Sequence, residues 1–171
     1  MLLRLAVPND ALPVARVHVR SWQAAYRNLL PQEYLDGLRP QERAARYDFG
    51  VTEPDKPCTL VAVASDEIVG FVTVSPARDP GLLGSGEVCA LYVEPEWWGR
   101  SVGRALLEQG RARLRGLGFE HAVLWVMAGN TRAERFYSSD GWTHEGGRRT
   151  ASVWGVTVEE ALYRRRLATP S

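Results

Sequence analysis

Apolar and polar positions alternate between two periods along this chain, and the changes of period mark its elements. Leu2 to Val7 is a short apolar run that predicts a strand. Pro8-Asn9-Asp10 supplies a turn and a helix cap, and Leu12, Val14, Val17, Val19 and Trp22 fall within the helix that follows. Trp22 and Tyr26 are four apart, on one helical face. Pro31-Gln32-Glu33 opens a short helix through Leu38, and Gln41 to Tyr47 predicts another. Residues 50–57, with two prolines and a glycine, read as a loop. Cys58 to Ala64 and Ile68 to Val74 flank the polar turn Ser65-Asp66-Glu67, a hairpin.

A Gly- and Pro-rich loop over 76–86 leads into the strand Glu87 to Val93, which Pro95 stops because it has no N–H for a ladder. From Val102, apolar residues recur at helical spacing through Leu106, Leu114 and Leu117, and Gly116-Leu117-Gly118 is a helix stop. His121 to Met127 predicts a fifth strand. Asn130-Thr131 caps a helix through about Ser138, which Gly141 ends. Trp142 to Thr150 and Val153 to Leu167 form a closing antiparallel pair, its register open around Glu159-Glu160.

This order predicts an α/β (α+β) domain over residues 1–171, with a core from about 2 to 168. Its sheet is mixed and mostly antiparallel, of about seven strands with flanking helices. The one strand–helix–strand crossover makes strands four and five a parallel pair. Such a pair can splay at its carboxyl ends, where open α/β sheets tend to bind ligands.

Composition narrows the function. The formal net charge of +1 favours neither nucleic acid nor an anionic membrane as partner. No apolar run is long enough to span a bilayer and no signal-peptide pattern opens the chain. Cys58 and Cys89 lie in apolar strand-like runs and read as buried thiols in a reducing cytoplasm. His18, His121 and His144 are scattered, without metal-ligand spacing.

Two stretches carry candidate chemistry. After Leu91-Tyr92-Val93 comes Trp98-Gly99-Arg100-Ser101-Val102-Gly103-Arg104, a turn of small and basic residues that leads a helix. The first N–H groups of a helix are unpartnered and carry partial positive charge, so such a turn suits an anion, most often phosphate. Neither the Walker nor the dinucleotide-binding glycine pattern is present, and small residues at a helix start also serve packing alone. In the second stretch Asn130, Ala133 and Tyr137 share one helical face. Asn130 fits a plain N-cap, and Tyr137 fits either a core aromatic or a phenol offered to a ligand.

Together these stretches resemble the GNAT-type N-acetyltransferase superfamily. The resemblance rests on Leu91-Tyr92-Val93, the 98–103 turn, Asn130-x-x-Ala133-x-x-Phe136-Tyr137 and Gly141-Trp142, with Ser21 to Arg27 and Leu30-Pro31 similar to the first helices of bacterial members. It implies acetyl-coenzyme A as cosubstrate, its pyrophosphate on residues 98–104 and its pantetheine arm along Leu91, Tyr92 and Val93, with Asn130, Ala133 and Tyr137 alongside. It also implies direct acetyl transfer to a primary amine of a small molecule or peptide, and a homodimer as a common assembly. Trp98 and Ser101 depart from the family pattern, which has Gln or Arg and Gly there. A left-handed backbone at 101 would cost serine about 1–2 kcal/mol. A helical φ avoids that cost and leaves the hydroxyl to cap the helix or to meet a phosphate.

The resemblance implies Tyr137 as proton donor to the leaving sulfur and Glu87 as the carboxylate that handles the acceptor's proton. Glu87 also fits a solvent-facing strand residue or an anchor for an ammonium. An alkylammonium near ~10.4 gives its proton to a carboxylate near ~4.3 only uphill, by roughly 8 kcal/mol. By strict alternation Glu87, Cys89 and Leu91 share a face. Trp22 and Tyr26, with Glu33 and Asp36 nearby, line the acceptor side or fill the core. Loops 27–57 and 76–86, where an acceptor would be selected, carry no recognisable code. The alternatives to an enzyme are a coenzyme-binding sensor and a partner-binding domain of the same fold.

Overall fold

A computed structural model describes residues 1–167. Its strands are β1 (Leu2–Leu5), β2 (Cys58–Ala64), β3 (Glu67–Pro76), β4 (Gly86–Val93), β5 (His121–Met127), β6 (Thr143–Val153) and β7 (Val156–Arg166). The helices are α1 (Ala11–Ala25), α2 (Gln32–Asp36), α3 (Pro40–Ala44), α4 (Val102–Gly116) and α5 (Thr131–Ser139). The seven strands form one sheet in the order β1-β2-β3-β4-β5-β7-β6, in which only the β4–β5 pair is parallel. The expected architecture is present.

Periodicity places the helices. Val14, Val17, His18, Ser21 and Trp22 of α1 are buried at three- and four-residue spacing against one face of the sheet. Val102, Leu106, Leu107, Gly110 and Leu114 of α4 do the same on the opposite face, against Val72, Val88 and Leu124. Gly110 is needed there: a Cβ on it would lie 3.1 Å from Val74 and 3.3 Å from Val72.

Two turns sharpen the expected boundaries. Ser65 and Asp66 both have positive φ, so the hairpin turn is two residues long and β3 already begins at Glu67. Trp154 (φ 49°) and Gly155 (φ 81°) make a second two-residue turn, which moves the β6–β7 tip beyond the expected position and fixes Arg149 opposite Glu160. The Trp154 ring packs on His18 and Trp22 of α1, and packing of this kind holds a bulky residue in a left-handed turn.

Strict alternation fails in β4. Thr73 pairs with Ala90 but Val74 pairs with Val88, so Cys89 is an extra residue in the ladder, a β-bulge. Val88 and Leu91 therefore face α4, while Ala90 and Tyr92 face α1. The expected common face of Glu87, Cys89 and Leu91 ends at the bulge. Neither cysteine is a buried core thiol: Cys58 is half-buried and Cys89 is exposed, opening toward the space between β4 and β5.

Candidate active site

β4 and β5 share only two rungs, Gly86 opposite Ala122 and Glu87 opposite Val123. Beyond them the strands part, although β4 stays paired to β3 and β5 to β7 along their outer edges. Between the parted strands the main-chain N–H and C=O groups on the inner edges have no ladder partner, and buried backbone groups need one. The gap is a cleft of about 550 Å³. Leu91, Tyr92 and Val93 form one wall and Leu124, Val126 and Met127 the other. Glu87 sits at the closed end.

The turn before α4 borders the open end. Trp98, Gly99, Ser101, Val102, Gly103 and Arg104 all line the cleft. Gly99 and Ser101 are left-handed (φ 75° and 63°), and the Ser101 side chain does not cap the helix. The backbone thus has the conformation that serine adopts only at a cost, and the first N–H groups of α4 are left for a ligand. Position 100, between two left-handed residues, turns outward: Arg100 is exposed, its guanidinium 5.0 Å from the Trp97 ring, and it does not line the cleft. Trp98 replaces the family's polar residue with a different contact. Its Nε1–H donates to the Val93 carbonyl at 2.8 Å, tying the turn to the end of β4. A Cβ on Gly103 would meet the Phe136 ring at 3.4 Å, so a small residue here lets α4 and α5 approach.

α5 supplies the remaining wall. Asn130 is the N-cap, its Oδ1 accepting from the Ala133 N–H at 3.2 Å, and Asn130, Ala133 and Tyr137 all line the cleft. Tyr137 packs edge-on to Phe136 and Trp142. Its carbonyl accepts from the N–H groups of Asp140 and Trp142, and Asp140 in turn binds Arg111 and Arg165. Burial pushes the phenol well above its ordinary pKa, with Tyr92 and Asp140 adding to the effect, so Tyr137 stays protonated and can donate.

At the α1 side, Trp22 and Tyr26 are only 2% and 7% exposed, yet their edges line the cleft. The two are core residues that also border the cleft, which is cut into the aromatic core. Tyr26, Trp22 and Tyr92 meet there, and burial holds the Tyr26 and Tyr92 phenols above their usual range. Glu33 and Asp36 are exposed and off the cleft, and Asp36 accepts from Gln32 at 2.7 Å.

Glu87 is half-buried. Burial raises its pKa, Arg149 and Arg78 oppose this, and the carboxylates of Glu160 and Asp79 add to the rise. Cys89 follows the same logic. Desolvation deep in the cleft and the Glu87 charge push the thiol up to about 11, and Ser75 Oγ lies 3.1 Å from its sulfur.

The model of the acetyltransferase (GNAT) family matches residues 21–142. The chain belongs to the GNAT acetyltransferase family. It is 31% identical over 131 residues to an uncharacterised N-acetyltransferase, YuaI, of Bacillus subtilis (strain 168), covering 75% of this chain and 72% of that protein. A mycothiol acetyltransferase of Geodermatophilus obscurus is 38% identical over 86 residues, which are 49% of this chain and 28% of that longer protein. Among solved structures, the PaiA N-acetyltransferase of Thermoplasma acidophilum, crystallised with coenzyme A, superposes with a TM-score of 0.67 at 17% identity, covering 97% of this chain and 99% of that one.

This GNAT cleft also holds side chains that periodicity did not single out. Arg132, in the first turn of α5, lines its open end. Arg149 and Glu160, cross-strand partners on β6 and β7, also line it, with Arg149 Nε donating to Glu160 at 3.0 Å and the guanidinium 4.0 Å from the Trp125 ring. Arg149 and Glu160 become legible once the turn at 154–155 sets the register, and Arg132 once Asn130 is fixed as cap. No helix among the described residues is long and apolar enough to cross a membrane.

Proposed function

We propose that this protein transfers an acetyl group from acetyl-coenzyme A directly to a primary amine of a small molecule or peptide. The observation that carries the reading is the fork: two rungs of parallel pairing, then an unpaired strand edge that runs to an uncapped helix N-terminus. An extended ligand with a pantetheine-like amide chain can bond along that edge as a missing strand would, and its pyrophosphate finds the free N–H groups of residues 102–104 with Arg104 and Arg132 beside them. When bound, acetyl-coenzyme A supplies an activated thioester and a thiol leaving group.

The chain's own groups then have three tasks. A backbone N–H on the inner edge of β4 is a fixed donor for the carbonyl oxygen where negative charge develops. Glu87, with its raised pKa, takes the acceptor's proton through water or holds its ammonium, and the shift narrows the gap to the amine's pKa. Tyr137, protonated and with its hydroxyl unpartnered among the described residues, donates to the departing sulfur. The nitrogen–carbon bond forms as the carbon–sulfur bond breaks, and no enzyme side chain is acylated. Two free cysteines suit a reducing compartment such as the cytoplasm.

An acceptor screen that follows free thiol release tests the activity. Ser101→Asp tests the site: aspartate tolerates the left-handed backbone, so the change adds charge without refolding the turn. Acetyl-coenzyme A should stabilise the wild type against heat and the variant far less. Equal shifts at matched concentrations would displace the pyrophosphate from this turn.

A further inference from the structure

A second cavity, of about 400 Å³, lies mainly on the α1 face below the bulge of β4 and reaches round the sheet's end to Cys58 and to Arg113 of α4. Four cations line it, Arg43, Arg46, Lys56 and Arg113, against one carboxylate, Asp48. Among the described residues none of the four has an ion-pair partner. The Nε atoms of Arg43 and Arg113 are buried with no hydrogen-bond acceptor. A buried guanidinium donor without an acceptor is costly, and like charges around one space raise that cost further. Arg43 is also held in place, its guanidinium 5.1 Å from the Trp154 ring and 5.7 Å from the Tyr47 ring. Such an arrangement is complementary to an anion.

Cys89 and Ala90 border this cavity and the fork alike, and Glu87 precedes them on the same strand. The two linings share the bulge residues and carry opposite chemistry on either side of them. On the fork side Glu87 and Glu160 line the cleft, and Arg149 is committed to Glu160 and stacked on Trp125. On the other side the guanidinium groups have no ion-pair partner among the described residues.

We infer that the second cavity is the anion-recognising half of the acceptor site, so that the acceptor is an amine bearing a carboxylate or phosphate. This rests on the proposed acetyl transfer. The acceptor's amine reaches past Cys89 toward Glu87 while its anionic group sits among Arg43, Arg46 and Arg113, and the partly exposed Phe49 ring accommodates the carbon body between charges. The field across the bulge orients such an amphoteric molecule and disfavours a simple polyamine, whose second ammonium would enter a positive cavity.

The test uses α- and ω-amino acids beside their methyl esters, with thiol release as readout. The wild type should prefer the acids by about tenfold or more in kcat/KM, an order typical of one charge-assisted contact. Arg113→Gln and Arg46→Gln, the second at an exposed position that spares the fold, should bring acid and ester to within about twofold by raising KM for the acid. Coenzyme A affinity should be unchanged, since neither residue lines the fork. A wild type that turns over acids and esters alike, or variants that keep the preference, would overturn the inference while leaving acetyl transfer standing. Absence of thiol release with every amine would instead count against the proposed activity. In that case calorimetry with inorganic phosphate on the coenzyme A-saturated protein decides: binding lost in Arg113→Gln supports the cavity, and no binding at millimolar phosphate overturns it.

Discussion

The Arg132 guanidinium lies 3.5 Å from the centroid of the Trp98 ring, joining the first turn of α5 to the turn that precedes α4 across the mouth of the cleft. Trp98 is itself held by its bond to the Val93 carbonyl, so the arginine is presented on a fixed platform. Arg100, the basic residue nearest in sequence to the turn's centre, faces away. The cationic lining of the mouth therefore comes from Arg104 of α4 and from Arg132 of a different helix, not from Arg100.

Arg132→Ala should raise the Kd for coenzyme A by about 10- to 100-fold, the range of a charged hydrogen bond of about 1.5–3 kcal/mol. Arg100→Ala should change it less than about twofold. Titration calorimetry on both variants checks the contrast, and equal losses would refute the division of labour.

Tyr137→Phe should lower kcat by about 10–1000-fold, the scale of a general acid, with little change in coenzyme A affinity. Because burial holds this phenol well above its ordinary value of 10.0, the wild-type rate should show no loss from Tyr137 ionisation as pH approaches that value. A Phe variant with an unchanged kcat would return Tyr137 to a packing role.

Glu87 gives a pH prediction of definite sign. Its folded pKa is raised above 4.5, so the folded state holds this proton more tightly than the unfolded chain and stability falls as pH rises from 4.5 through the raised value. Glu87→Gln removes that loss. The variant should be more stable than wild type at neutral pH, with the difference closing below about pH 4.5, while kcat drops. Denaturant melts across pH, paired with rates, check both halves.

His18 acts in the opposite sense. It is 3% exposed, stacked on Tyr92, with Nδ1 2.9 Å from the Tyr47 hydroxyl. Burial, aided by Arg43, holds its pKa well below 6.5. The unfolded chain therefore takes up a proton that the folded state refuses, and stability is lost as pH falls below about 6.5. The slope attributable to His18 approaches about 1.4 kcal/mol per pH unit. His18→Gln should flatten that limb in chemical denaturation between pH 7 and 5.

The elements were legible in the sequence because local rules write them. The three- and four-residue spacing of Val14, Val17 and Trp22, the stop at Gly116-Leu117-Gly118 and the cap at Asn130 each act over one or two turns of chain. The crossover from β4 through α4 to β5 required a parallel pair, and the glycines at 99 and 103 marked the turn. What stayed hidden depends on neighbours distant in sequence. The bulge at Cys89 exists only against β3, and it decides which side chains of β4 meet α1 and which meet α4. The register of Arg149 on Glu160 follows from a left-handed Trp154 that α1 holds in place. The left-handed backbone at Ser101 is disfavoured by its own residue and is sustained by the turn around it. Short-range periodicity therefore determined the elements and their order. Packing between elements decided how far β4 and β5 part, which cations face the resulting spaces, and where the unpaired charge lies.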